Sequence, residues 1–285
     1  MSGAVHVTGR RIPWRRRSAL PGFAPALGLT LAWLSLIVLL PLAALALRPW
    51  ALGPLGVWHS LTEPRVLAAL RLSFGAAMLA AAINVPIGLV VAWVMVRYRF
   101  PGHRLADALI DMPLALPTAV AGIALTALFA PRGWIGGLLV PLGITVAFTP
   151  IGILVALVFV GLPFVVRTLE PVMMDLPREA EEAAATLGAT RWQTLRRVVL
   201  PALLPAVIAG FGAALARGVG EYGSVIFIAG NMPMVSEIAP LVIVIRLEQF
   251  DYAGAAALGL AMLVLAFAIL LLLNLAQRLA YGRTA

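Results

Sequence analysis

Few residues in this 285-residue chain combine the type and spacing that chemistry needs. Asp107 and Asp111 stand four apart, on one face of a helix, and paired carboxylates can exchange protons with a substrate. No histidine, nucleophile or ligand cluster accompanies them, so ion pairing at a surface with nearby Arg99 and Arg104 is the expected role. Arg217 and Glu221 are also four apart, inside an apolar stretch where ionisable groups are costly and are functional candidates by default. A mutual ion pair would satisfy both. With Ser224 just beyond them, and with Pro117 and Thr118 in another apolar stretch, they are the candidates for a polar path or gate. A dianion would find there a guanidinium, a hydroxyl and backbone N–H groups.

Other chemistries are excluded. There is no cysteine, so disulfides and thiolate metal sites are out. His6, His59 and His103 lie too far apart for metal ligation from one helix face, and no catalytic residues are assigned. All 21 basic residues are arginine. A G-x-x-x-x-G-K-[ST] phosphate loop needs a lysine, so the chain carries no such nucleotide site. The net charge of +9 sits in the tails and in the connections between apolar stretches, where it sets orientation in a membrane rather than pointing to nucleic acid.

The elements that must position these residues are membrane helices. With 62% hydrophobic and 12% charged residues and a mean hydropathy of +1.01, the chain is far more apolar than a soluble domain. A span needs roughly 20 apolar residues. Six stretches qualify, at 27–47, 72–96, 112–129, 144–166, 203–227 and 255–276, the third with an onset near Ala106. The expected fold is all-α and polytopic. Residues 135–142 are too short to span and read as a hairpin at the membrane surface. The first stretch ends in Ala44-Leu45-Ala46, which mimics a cleavage site, but its apolar core exceeds that of a signal peptide and an uncleaved helix is expected.

Arginine placement gives the orientation. Fifteen arginines lie in the N-terminal tail (Arg10 to Arg17), the second connection (Arg97, Arg99, Arg104), the fourth (Arg167 to Arg197) and the C-terminal tail (Arg278, Arg283). The opposite connections hold four: Arg48, Arg65, Arg132 and Arg246. Both termini are therefore expected in the cytoplasm. The implied organisation is a tail at 1–26, a six-span domain at 27–276 and a tail at 277–285. A long cytoplasmic loop at 168–201 lies within the spanning domain. From Pro201, 16 residues at 1.5 Å each place Arg217 about 24 Å deep, towards the far surface.

In that loop Pro177 suits a first helical position, and Glu179, Glu181 and Glu182 favour a helix N-terminus. Alanines at 180 and 183–185 give a smooth, strongly helical face, and Gly188 suits a left-handed stop. Thr190 can cap a second short helix leading to Leu200-Pro201. These residues alone admit both a docking element and a simple surface connector.

Glu182-Ala183-Ala184, three residues, Gly188, nine residues, then Val198-x-Leu200-Pro201 resembles the E-A-A-x3-G-x9-I-x-L-P signature of type I ABC importer permeases, with Val198 in place of Ile. The resemblance implies that fold, and a docking role toward a separate ATPase for Glu182, Ala183, Ala184, Gly188, Leu200 and Pro201. It also implies ATP and Mg on that partner, with no cofactor in this chain. The segment from Arg217 to Pro233 resembles the end of the fifth span in permeases for oxyanions. Its continuation, Ser236 to Pro240 and Leu247 to Gly254, resembles the T-type permeases of sulfate/thiosulfate importers, as do Arg97 to Gly102 and Leu116 to Gly122. The implied partners are an ABC ATPase dimer, a second, non-identical permease, a periplasmic sulfate-binding protein and bacterial inner-membrane lipid. Molybdate or tungstate permeases share the Gly-Glu-aromatic-Gly element and are the alternative. A secondary transporter would show inverted repeats and midplane carboxylates, neither of which is evident. Breaks at Asn84, Pro86 and Gly88, at Pro113, Pro117 and Gly122, and at glycines 210 to 223 mark the second, third and fifth spans as path-lining candidates. Residues 234–250, apolar but too short to span, are expected to tuck back against the bundle at the periplasmic end.

Overall fold

The computed structural model describes residues 23–281, as helices with no strand among them. The N-terminal unit is helical and apolar on every face: α1 (Phe23–Leu34), a π-helical turn (Ser35–Leu39) and α2 (Leu40–Leu47). A helix without a polar face suits lipid.

The second unit begins with a 3-10 turn (Arg48–Leu52) and α3 (Gly53–Thr62). Next come α4 (Pro64–Arg97), α5 (His103–Ala115), α6 (Thr118–Phe129), the short α7 (Gly136–Leu139) and α8 (Pro150–Met174). The remainder is α9 (Arg178–Thr186), α10 (Arg191–Thr194), α11 (Leu200–Val219), α12 (Gly223–Ile228), α13 (Ala239–Glu248) and α14 (Tyr252–Tyr281). Among the described residues, five helical stretches are long and apolar enough to cross a membrane, and α5 and α6 pass the same test only as a pair, bent by 110° at the break between them.

The core is the packing of α4, α8 and α11 around fully buried Ile153, Val165, Val166, Leu169 and Leu203. Glycine sets the closeness of these helices: a Cβ on Gly88 would lie 2.7 Å from Val165 Cγ1. Helix α14 covers α11 and α13, and α6 packs on α12.

Several expected spans shift. The second begins at Pro64 rather than 72, because Pro64 opens the helix eight residues earlier. The fourth runs from Pro150 to Met174 rather than 144–166; Thr149 caps it, its hydroxyl accepting from the Ile151 N–H at 3.2 Å, and Pro150 fixes the first turn. The third is not one helix: Leu116 and Pro117 are extended, as a residue before proline prefers, and the chain turns there. The fifth, expected over 203–227 with breaks among glycines 210 to 223, runs unbroken past Gly210, Gly212 and Gly218, stops after Val219 and restarts at Gly223. Residues 135–142 form α7 and a 3-10 turn (Val140–Leu142) that ends at left-handed Gly143.

Candidate functional site

Two groups of candidate residues are brought into defined geometry, at two separate places. The first is the loop between α8 and α11. Helix α9 opens at Arg178, with Pro177 as its extended N-cap rather than its first residue; ψ of 130° at Pro177 keeps that residue outside the helix. The glycine stop forms as the sequence implies. Ala189 N–H donates to Ala184 O and Gly188 N–H to Ala185 O, both at 3.0 Å, which closes a Schellman turn with Gly188 at φ +81°. Thr190 then caps α10 in a reciprocal box: its Oγ1 accepts from Gln193 N–H at 3.3 Å, and its own N–H donates to Gln193 Oε1 at 2.8 Å. Neither α9 nor α10 contains a buried residue. Glu182, Ala183 and Pro201 are exposed, Ala184 and Leu200 half-buried. Beside the glycine turn, Leu187 is 88% and Trp192 63% exposed. A π-helical turn (Leu195–Val199) joins this loop to α11.

The second group lies where α6 meets α12. Arg217 Nη1 pairs with Glu221 Oε2 at 2.5 Å. The other carboxylate oxygen accepts from both the N–H and the hydroxyl of Ser224, each at 2.9 Å. Glu221 and Ser224 are buried, so this carboxylate is satisfied within the fold and also caps the restart of the interrupted helix. The first turn of α6 crosses directly over this point. A Cβ on Gly122 would lie 2.8 Å from Ser224 Cα, and one on Gly223 would lie 3.0 Å from Thr118 Cβ. Thr118, Glu221 and Ser224 thus converge, with Pro117 at the bend that allows it and Arg217 one helical turn back.

Asp107 and Asp111 do form ion pairs, but with Arg167 instead of Arg99 and Arg104. Arg167 Nε and Nη2 hold Asp111 in a fork at 2.8 and 2.6 Å, while Nη1 reaches Asp107 at 2.8 Å and Glu170 at 2.7 Å. The nearer arginines in sequence lose because the packing of α5 on α8 presents Arg167 to both carboxylates.

Residues that sequence reasoning did not assign a contact tie α13 to the start of α4. Arg65 grips Glu237 through Nε at 2.7 Å and Nη2 at 2.6 Å. Arg246 donates to Ser60 Oγ at 2.5 Å, Glu63 at 2.9 Å and Gly254 O at 3.0 Å. Residues 234–250 therefore tuck against the bundle, as expected, through charges as well as apolar contacts. Their only signal in the sequence was their occurrence in an otherwise apolar segment. In the core, Asn84 is fully buried and neither amide atom has a partner; a Cβ on Gly161 would lie 2.6 Å from its Nδ2.

Residues 84–284 match the family of binding-protein-dependent transport system inner membrane components, and the chain belongs to it: it is a membrane transport component, not an enzyme. The sulfate transport system permease protein CysT of Escherichia coli K12 is 47% identical over 259 residues, covering 91% of this chain and 93% of that protein. The protein of the same name from Synechococcus elongatus is 48% identical over 87% of this chain and 89% of its own length. Among solved structures, a bacterial ABC transporter involved in the import of the acidic polysaccharide alginate superposes with a TM-score of 0.72 at 16% identity, over 90% of this chain and 94% of that one. The bacterial alginate transporter in complex with an alginate pentasaccharide-bound periplasmic protein gives 0.74 at 18% identity, over 90% and 93%. These likenesses establish the fold as that of type I ABC importer permeases.

Proposed function

We propose that this chain is the sulfate-translocating permease subunit of an ATP-driven importer and that thiosulfate takes the same route. The loop from α9 to α10 is the single observation that best supports the ATP-driven part. Its glycine turn and two small helices are stabilised by their own caps, and exposed Leu187 and Trp192 are left available to another protein. Glu182, Ala183, Ala184, Gly188, Leu200 and Pro201 seat that partner, a cytoplasmic ATPase dimer. The anion assignment is supported by the level of identity to sulfate permeases. A second, non-identical permease and a periplasmic sulfate-binding protein complete the assembly. Both chain ends face the cytoplasm of a bacterium, and the spanning domain occupies 27–276.

Arg217, Glu221, Ser224, Pro117 and Thr118 form a gate at the far end of the path. Arg217 is spoken for by Glu221, so the cluster closes on itself in this conformation, and an arriving dianion competes with Glu221 for the guanidinium.

The test is uptake in proteoliposomes containing the permease pair, the ATPase and the cognate binding protein. Labelled sulfate uptake should require ATP and be inhibited by thiosulfate. Inhibition by molybdate with none by thiosulfate would overturn the assignment, and uptake without the ATPase would reassign the chain to secondary transport.

A further inference from the structure

Helix α9 has few polar side-chain links to the membrane bundle. Among the described residues, one side-chain hydrogen bond leaves it for another element: Arg97 Nη2 donates to Glu181 Oε1. Arg97 is the last residue of α4, and Glu181 immediately precedes Glu182. The arginine is held from behind, its guanidinium 5.3 Å from the centre of the Trp93 ring and its side chain 12% exposed. An ion pair this sheltered is not the freely solvated surface kind, which is worth little. At its two ends α9 is bounded by extended Pro177 and left-handed Gly188, which suit a helix that tilts as a unit. An open cleft of about 390 Å³ lies between Arg97, Met173 and the Asp175 to Glu179 segment, beside the first turn of α9. Arg97 Nε is buried without an acceptor, so a tilt of α9 that brings a second oxygen into the cleft would be met by a waiting donor.

We propose that Arg97 is the positioning residue that couples α9 to the core: its bond to Glu181 makes displacement of the loop by the ATPase pull on the C-terminal end of α4. Helix α4 is suited to receive that pull. It packs along both α8 and α11 and carries Pro86, where the missing N–H weakens the helix against bending. The proposal rests on the reading of α9 and α10 as the ATPase seat, and supplies the link from that seat to the spans.

The experiment uses the whole reconstituted importer and reads two quantities, the amount of ATPase that co-purifies and the ratio of ATP hydrolysed to sulfate imported. Arg97→Gln and Glu181→Gln should each retain the ATPase yet raise that ratio about fivefold, within the range of a coupling energy carried by one network. Arg97→Glu should be worse, and Arg97→Glu with Glu181→Arg should return to within about twofold of the parent, because the swapped charges rebuild the bond. A purely structural pair would lower yield without changing the ratio. Glu181 is on an exposed helix, so Glu181→Gln reports even where Arg97 variants fold poorly. An unchanged ratio in Glu181→Gln, or a swapped pair no better than Arg97→Glu alone, overturns the proposal. Absence of co-purified ATPase with the parent chain would instead remove the docking reading beneath it.

Discussion

Gly188 shows how one residue's backbone can define a turn. No atom lies within 4 Å of where its Cβ would be, so nothing crowds the position. The constraint is conformational: φ of +81° is open to glycine and disfavoured by about 1–2 kcal/mol for other L-residues. Gly188→Val adds a β-branched side chain to that penalty, while asparagine tolerates the left-handed region better. Gly188→Val should therefore assemble in the membrane but lose most sulfate-dependent ATP hydrolysis, and Gly188→Asn should keep a substantial part of it. Equal activity in the two variants would show that the left-handed turn is not what the ATPase requires. The turn at this residue was legible in the sequence because the glycine stop and the flanking caps are local patterns. The partner of Asp111 was not, because Arg167 is 56 residues away and nothing local favours it over Arg104.

At the scale of elements, apolar length gave the number of spans but not their bends. Pro117 was visible as a breaker; that it separates two helices by 110° depends on what α6 packs against, namely α12. The interruption at Gly220 to Tyr222 was hidden among several glycines, some of which serve only close packing. The clamp on α13 follows the same logic of long-range partners. Glu237 is 2% exposed and depends on Arg65 for both of its oxygens. Arg65→Gln leaves that carboxylate buried and uncompensated, at a cost of about 3–5 kcal/mol. Adding Glu237→Gln removes the stranded charge, so the double variant should be more stable than Arg65→Gln alone. Thermal unfolding of the detergent-solubilised protein measures this; a double variant whose losses simply add would mean the fork contributes nothing specific.

For the whole molecule, the proposed orientation rests on where arginine sits between spans, and the proposed loop and gate roles require it. A loop that meets an ATPase has to face the cytoplasm, and a segment clamped by Arg65 and Arg246 then faces outward. Arginine-rich connections stay inside because translocating them is opposed. The chain contains no cysteine, so a single introduced thiol is a unique reporter without further engineering. Arg178 opens α9 and is exposed, and Met234 is 60% exposed in the segment before α13. In intact cells, or spheroplasts where an outer membrane is present, a membrane-impermeant maleimide should label Met234→Cys and spare Arg178→Cys. Permeabilising the membrane should then make Arg178→Cys reactive. The reverse pattern would invert the topology and put the α9–α10 loop out of reach of any cytoplasmic ATPase. Labelling of both sites before permeabilisation would contradict an odd number of crossings between them, and with it the counting of the interrupted α11 and α12 as one span.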